Sequence, residues 1–221
     1  MTHRRPTTCV NRAGRINRFL LGTCVLLAFA ATAHAQETLF FSRDFPGSIP
    51  PYFEVELTSD GNAVYREEPD EEEPWTFTLR PRETIVIFEL VKKLDGLRRP
   101  IRNDRKVAFT GDKILRYDSG NGQKTEATYV YTEEPDAKTL ESWFLRMAES
   151  ANHLFELERV VRFDRLGVNK TLLYFQTSFD KNRIVASHHF LPVLRKVAGD
   201  QRFVHIARAR AAALVERIES E

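Results

Sequence analysis

Past Cys24 the chain has no cysteine: its two, Cys9 and Cys24, both precede Gln36. A protein starting there has no disulfide, no thiolate metal site and no cysteine nucleophile. Several catalytic signatures are missing as well. No G-x-S-x-G elbow occurs, so an α/β-hydrolase reading lacks its central motif. No H-E-x-x-H, Walker A or G-x-G-x-x-G sequence occurs either. Low-complexity tracts and fixed-period repeats are absent. No apolar run reaches the roughly 20 residues of a membrane-spanning helix.

The first segment reads as an address. Arg4, Arg5, Arg12, Arg15 and Arg18 precede an apolar run from Phe19 to Ala33, with no acidic residue among them. Ala33-His34-Ala35 follows, a small-x-small cleavage pattern. Residues 1–35 are therefore expected to be a signal peptide, cleaved after Ala35. The protein would then be exported, periplasmic or secreted, with no transmembrane segment left; an uncleaved anchor is the alternative. Removing these five arginines from the 33 Lys+Arg leaves 28 against 31 Asp+Glu, a net of −3. The overall basic balance thus belongs to the address and is no argument for nucleic acid.

Beyond Gln36 the hydrophobic periodicity predicts an α+β fold: a small antiparallel sheet covered by one or two helices, then an α-helical C-terminal region. The expected division is an α+β domain over 36–150 and a helical region over 151–221. "YFEVELT" alternates with Phe53, Val55 and Leu57 on one face. Asp60-Gly61 suits the hairpin turn that follows, and "NAVYRE" returns. "WTFTLR" places Trp75, Phe77 and Leu79 inward. Pro81 suits a first helical turn, and Ile87, Leu90, Val91 and Leu94 form a helical stripe ending at Gly96. "RKVAFTGDKILRYDSGNGQKTEATYVYT" predicts a second hairpin around Asn121-Gly122, with Gly111 as a bulge. Pro135 opens a long helical segment. Its stripe slips after Ala151, which predicts a bend or break between Asn152 and Glu158. A further helix ends near Phe179, and a last one is expected to start at Asp200 as its N-cap.

The stretch "FFSRDFPGSIPPYFEVELTSDGNAVYRE" resembles the opening of an uncharacterised family of exported bacterial α+β domains. That pattern is an aromatic strand, an arginine, a Phe-Gly turn, Pro-x-Tyr, an alternating strand, Asp-Gly and a strand with tyrosine. Arg43, Phe45, Gly47, Pro50 or Pro51, Tyr52, Asp60, Gly61 and Tyr65 correspond. The similarity covers residues 38–148. It implies the fold and export, and brings no activity or catalytic residue.

Four groups invite a chemical reading. The acidic run Glu67 to Glu73 lacks the glycine of a calcium loop and reads as a solvated connection. The basic segment from Lys92 to Lys106 has no interleaved aromatics for base stacking, which argues against single-stranded nucleic acid. It could meet an anionic envelope surface or pair within the fold. Ser187 beside His188 is not a dyad, because adjacent side chains rarely face each other. His188 and His189 precede Pro192, which favours a helix start there and puts the pair in its lead-in turn. They lack a spaced third ligand, so they are expected to be exposed and to titrate near 6.5. His153 and His205 are expected on outer helix faces. No catalytic, cofactor-binding or metal residue is assigned, and no cofactor. The reading is a non-enzymatic binding or envelope-assembly module with a protein or envelope partner. The alternative is a hydrolase or metal-dependent enzyme with a site near His188 and His189.

Overall fold

The computed structural model describes residues 36–103 and 105–221; the expected signal peptide lies outside them. Six strands form one antiparallel sheet: β1 (Thr38–Asp44), β2 (Tyr52–Thr58), β3 (Asn62–Arg66), β4 (Trp75–Thr78), β5 (Asp112–Asp118) and β6 (Lys124–Tyr129). Their spatial order is β4-β3-β2-β1-β5-β6. Helices α1 (Pro81–Lys93), α2 (Pro135–Phe163), α3 (Val168–Asp180), α4 (Leu191–Gly199) and α5 (His205–Glu219) complete the fold. This is the α+β architecture the periodicity predicts, with α1 the one helix among the strands. No helix of the described residues is long and apolar enough to cross a membrane.

The alternation of the strands sets the layers. Leu39, Phe41, Phe53, Val55, Leu57, Tyr65, Phe77 and Leu115 project onto one face and are buried. Helices α1 and α2 cover that face through Ile87, Val91, Leu94, Leu140, Phe144 and Met147. Phe144 stacks on Phe41 with ring centroids 4.8 Å apart. A second core joins the end of α2 to the later helices through Leu157, Val160, Leu172, Phe175, Phe190, Leu194 and Leu214. Trp75 of the edge strand touches both cores.

Three local expectations need correcting. α2 runs unbroken through Asn152–Glu158. The slip in its stripe marks a change of partner: Phe144, Met147 and Ala151 face the sheet core, while Leu154, Leu157 and Val161 face the helical core. Asp200 does not cap α5. Its carboxylate accepts the Arg202 N–H at 2.9 Å within a separate turn, and α5 starts only at His205. Gly111 precedes β5 and is not a bulge within it. At φ +99° it also admits a close approach, since a Cβ there would lie 2.8 Å from the Phe45 Cβ. Trp143, beside Phe144 on α2, packs half-buried against the sheet core, with the Arg146 guanidinium 4.2 Å from its ring centre.

Candidate functional site

The histidine pair sits where the proline predicts it. Ser187–Phe190 form a 3-10 turn leading into α4, with Pro192 in the first turn of that helix. The rings are half-buried rather than exposed, however. His189 Nε2 lies 3.0 Å from the Thr78 backbone nitrogen and accepts its hydrogen, capping a donor of the edge strand β4. His188 Nε2 lies 3.4 Å from the Thr78 hydroxyl. Burial pulls both imidazoles below 6.5, and for His188 the neighbouring His189 and Arg80 add to it. The expected ordinary titration is corrected accordingly. Ser187 caps nothing: its hydroxyl donates to Glu221 at 2.6 Å and accepts from Arg80 at 3.2 Å. His205 is exposed, as expected. His153 is not. It lies 3.0 Å from the Ser178 hydroxyl, and burial lowers its pKa against the opposing pull of Glu149. Among the described residues no three His, Cys, Asp or Glu side chains are placed to hold a metal.

The charge runs separate. Residues 68–73 are exposed in the connection from β3 to β4. The basic segment pairs elsewhere, Arg99 with Glu134 at 3.8 Å, Arg98 with Asp95 at 2.8 Å, and Arg105 with Glu133.

The site that stands out came from none of these groups. One cross-strand row on the covered face of the sheet reads Tyr129, Lys113, Arg43, Phe53. The next row reads Ala127, Leu115, Phe41, Val55 and is apolar. Two cations thus sit directly opposite each other, at positions where the alternation demands apolar side chains. Like charges so placed repel.

Only one of the two is fully compensated. Lys113 is 3% exposed. Its ammonium donates to the Thr110 hydroxyl at 3.0 Å and the Val130 carbonyl at 2.8 Å, and pairs with Glu141 of α2 at 3.1 Å. Its three hydrogens are therefore all used. Arg43 has no carboxylate at ion-pair distance among the described residues. It donates through Nη2 to the Ser48 hydroxyl at 3.1 Å, and its guanidinium lies 5.1 Å from the Phe53 ring centre. Its Nε is buried without an acceptor. Burial lowers the Arg43 pKa, with the charge of Glu141 opposing the shift. The buried Tyr129 hydroxyl also makes no hydrogen bond, and burial followed by the charge of Glu141 pushes its pKa up.

Loops build the walls. Residues 45–51 form a tight turn, closed by the Phe45 N–H donating to the Pro51 carbonyl at 2.7 Å. The approach to β5 passes beside it at Gly111. Between them and α2 lies a cleft of ≈ 430 Å³ lined by Arg43, Phe45, Lys113, Tyr131, Lys138 and Leu145, with the Glu141 carboxylate and the Thr110 and Ser142 hydroxyls. Phe109 meets Phe45 edge-on at 5.8 Å and extends the aromatic rim. Lys138 lies 5.4 Å from the Tyr131 ring centre, a third cation, at the mouth. A cationic floor under aromatic walls fits a ligand with an anionic head and an apolar body.

Sequence reasoning placed Arg43 only within the resemblance and passed over Lys113. The signal was available. Arg43 shares the parity of Leu39 and Phe41, and Lys113 shares that of Leu115. Comparison with protein-family models, curated proteins and solved structures finds no match.

Proposed function

We propose that the protein is an exported, non-enzymatic binding module whose ligand carries a carboxylate, or an anion of similar size, on an apolar body. One observation carries this reading: the half-buried guanidinium of Arg43, its Nε buried without an acceptor, stands beside Lys113 with a single carboxylate between them. A partly desolvated charge without a counter-ion is costly, and such departures from folding logic concentrate at functional sites. The ligand's anion supplies the missing charge, and Phe45, Phe109 and Tyr131 receive its body. Export rests on the leader-like pattern of residues 1–35. At the place of the enzyme alternative, His188 and His189 both turn Nε2 to Thr78, while His188 Nδ1 is buried without a partner.

Calorimetric titration with phenylacetate, an aromatic carboxylate, tests the reading against benzyl alcohol, its uncharged counterpart. Phenylacetate is expected to bind one per chain, and benzyl alcohol to bind at least tenfold more weakly, since a charge-assisted hydrogen bond is worth about 1.5–3 kcal/mol. Equal binding of the two, or phenylacetate binding retained in Arg43→Met, overturns it.

A further inference from the structure

Charge in the chain from Gln36 onward is divided unevenly. Residues 156–170 and 195–210 hold nine Lys and Arg against four Asp and Glu, a net of +5. Since the chain from Gln36 carries −3, the remainder carries −8. The two positive segments are neighbours in space. Arg210 of α5 reaches Asn169 at the start of α3, at 3.4 Å. Arg165 acts on Asp200, which Arg202 chiefly, and Arg165 least, hold at about 2. A groove of ≈ 500 Å³ joins the end of α2 to α4, with Arg159, Arg162, Phe163, Pro192 and Lys196 among its walls.

The same end carries bare apolar side chains. Phe163, the last residue of α2, is 73% exposed, and Leu166 on the connection to α3 is 85% exposed. Val204 and Ile206, at the start of α5, are also exposed. Cations alternate with them. Arg162 lies 5.7 Å from the Phe163 ring centre, and Arg165 immediately precedes Leu166. Neither Arg162, Arg165 nor Lys196 has an ion-pair partner among the described residues. Two local carboxylates are already engaged, Glu156 by Arg159 at 2.7 Å and Asp200 by Arg202 at 2.5 Å. Protruding apolar tips ringed by free cations, on an otherwise acidic molecule, match an interface that is apolar below and negative above.

We propose that this end of the helical region docks on the surface of a membrane containing anionic lipid. Phe163 and Leu166 enter the headgroup–acyl boundary, and Arg162, Arg165 and Lys196 meet lipid phosphates. The −8 of the remainder is repelled from the same surface, so the charge division orients the molecule as well as attracting it. No part of this depends on the ligand cleft. Arg43 and Lys113 lie on β1 and β5 of the sheet, away from the positive segments in sequence.

Co-sedimentation of the protein with phosphatidylglycerol–phosphatidylcholine vesicles, compared with phosphatidylcholine alone, tests the proposal. Binding is expected only with phosphatidylglycerol, and should fall as salt rises. Neutralising one surface cation is expected to lower affinity by about fivefold, so Arg162→Gln with Arg165→Gln should lower it by more than tenfold. Phe163→Ser with Leu166→Ser is expected to reduce it by at least about tenfold. The control is Ile85→Ser, which removes another exposed apolar side chain, from α1, and should leave vesicle binding unchanged. The Phe163/Leu166 variant should melt like the parent, because its replaced side chains are in water. Indifference of the parent to phosphatidylglycerol overturns the proposal, as does equal vesicle binding by the Phe163/Leu166 variant. So does a dimer in sedimentation that this variant dissociates, which assigns the patch to a second copy of the chain.

Discussion

An arginine opposite a lysine under a helical cover is a pair that stability alone would not select. In Arg43→Met the repulsion and the unpaired charge both go, while the aliphatic volume stays. The unliganded variant is expected to be as stable as the parent or about 1 kcal/mol more stable, measured by denaturant melts. Glu141→Gln acts in the opposite direction. It leaves Lys113 and Arg43 with no carboxylate, and is expected to cost about 3–5 kcal/mol. The histidines give a pH test at the same scale. Burial favours their neutral forms in the folded protein, whereas the unfolded chain takes up protons near 6.5. Their contribution is therefore full above about 6.5 and is lost as pH falls below it, because the unfolded state then binds more protons. Denaturant midpoints should drop as pH is lowered from about 7.5 to about 5.5. In His153→Gln/His188→Gln/His189→Gln that drop should shrink, since no buried imidazole remains to be charged.

At the scale of elements, α2 organises the molecule, and one helix serves two cores. Its early part presents Phe144, fully buried against Phe41. Phe144→Ala is expected to cost about 3–5 kcal/mol. Trp143→Ala removes a half-buried ring and its contact with Arg146, and should cost clearly less, about 1–2 kcal/mol. Denaturant melts of the two variants separate these values. Periodicity made most elements legible, because a strand in a one-sided sheet and a helix on one core each keep a single apolar face. It misplaced the break in α2 because the rule presumes one partner per helix. The stripe rotates where the helix passes from sheet to bundle. It misplaced the start of α5 because Asp200 had a nearer competitor, the N–H and guanidinium of Arg202.

For the whole molecule, the sequence showed the fold class more clearly than the site. Alternation and turn chemistry are local and survive in a linear reading. The cleft depends on register: Arg43, Lys113 and Glu141 are far apart in sequence and meet only when β1 pairs with β5 and α2 crosses them. A scan for motifs drew attention instead to Ser187, His188 and His189, where the Ser187 hydroxyl meets Glu221 and Arg80, the two Nε2 atoms reach Thr78, and His188 Nδ1 is buried without a partner. What marks the cleft is a conflict between levels, a charge where the pattern asks for an apolar residue, and this can be found only by asking which face each charged residue occupies.

The most direct test of the central claim, that the Arg43 charge awaits an anion, is a pair of thermal melts with and without phenylacetate, on the parent and on Arg43→Met. The account predicts that the ligand raises the Tm of the parent and leaves Arg43→Met unmoved, although the unliganded variant melts at the same temperature or higher. An equal rise in both proteins, or an unliganded Arg43→Met that melts well below the parent, would show that Arg43 is an ordinary structural cation, and contradicts the account.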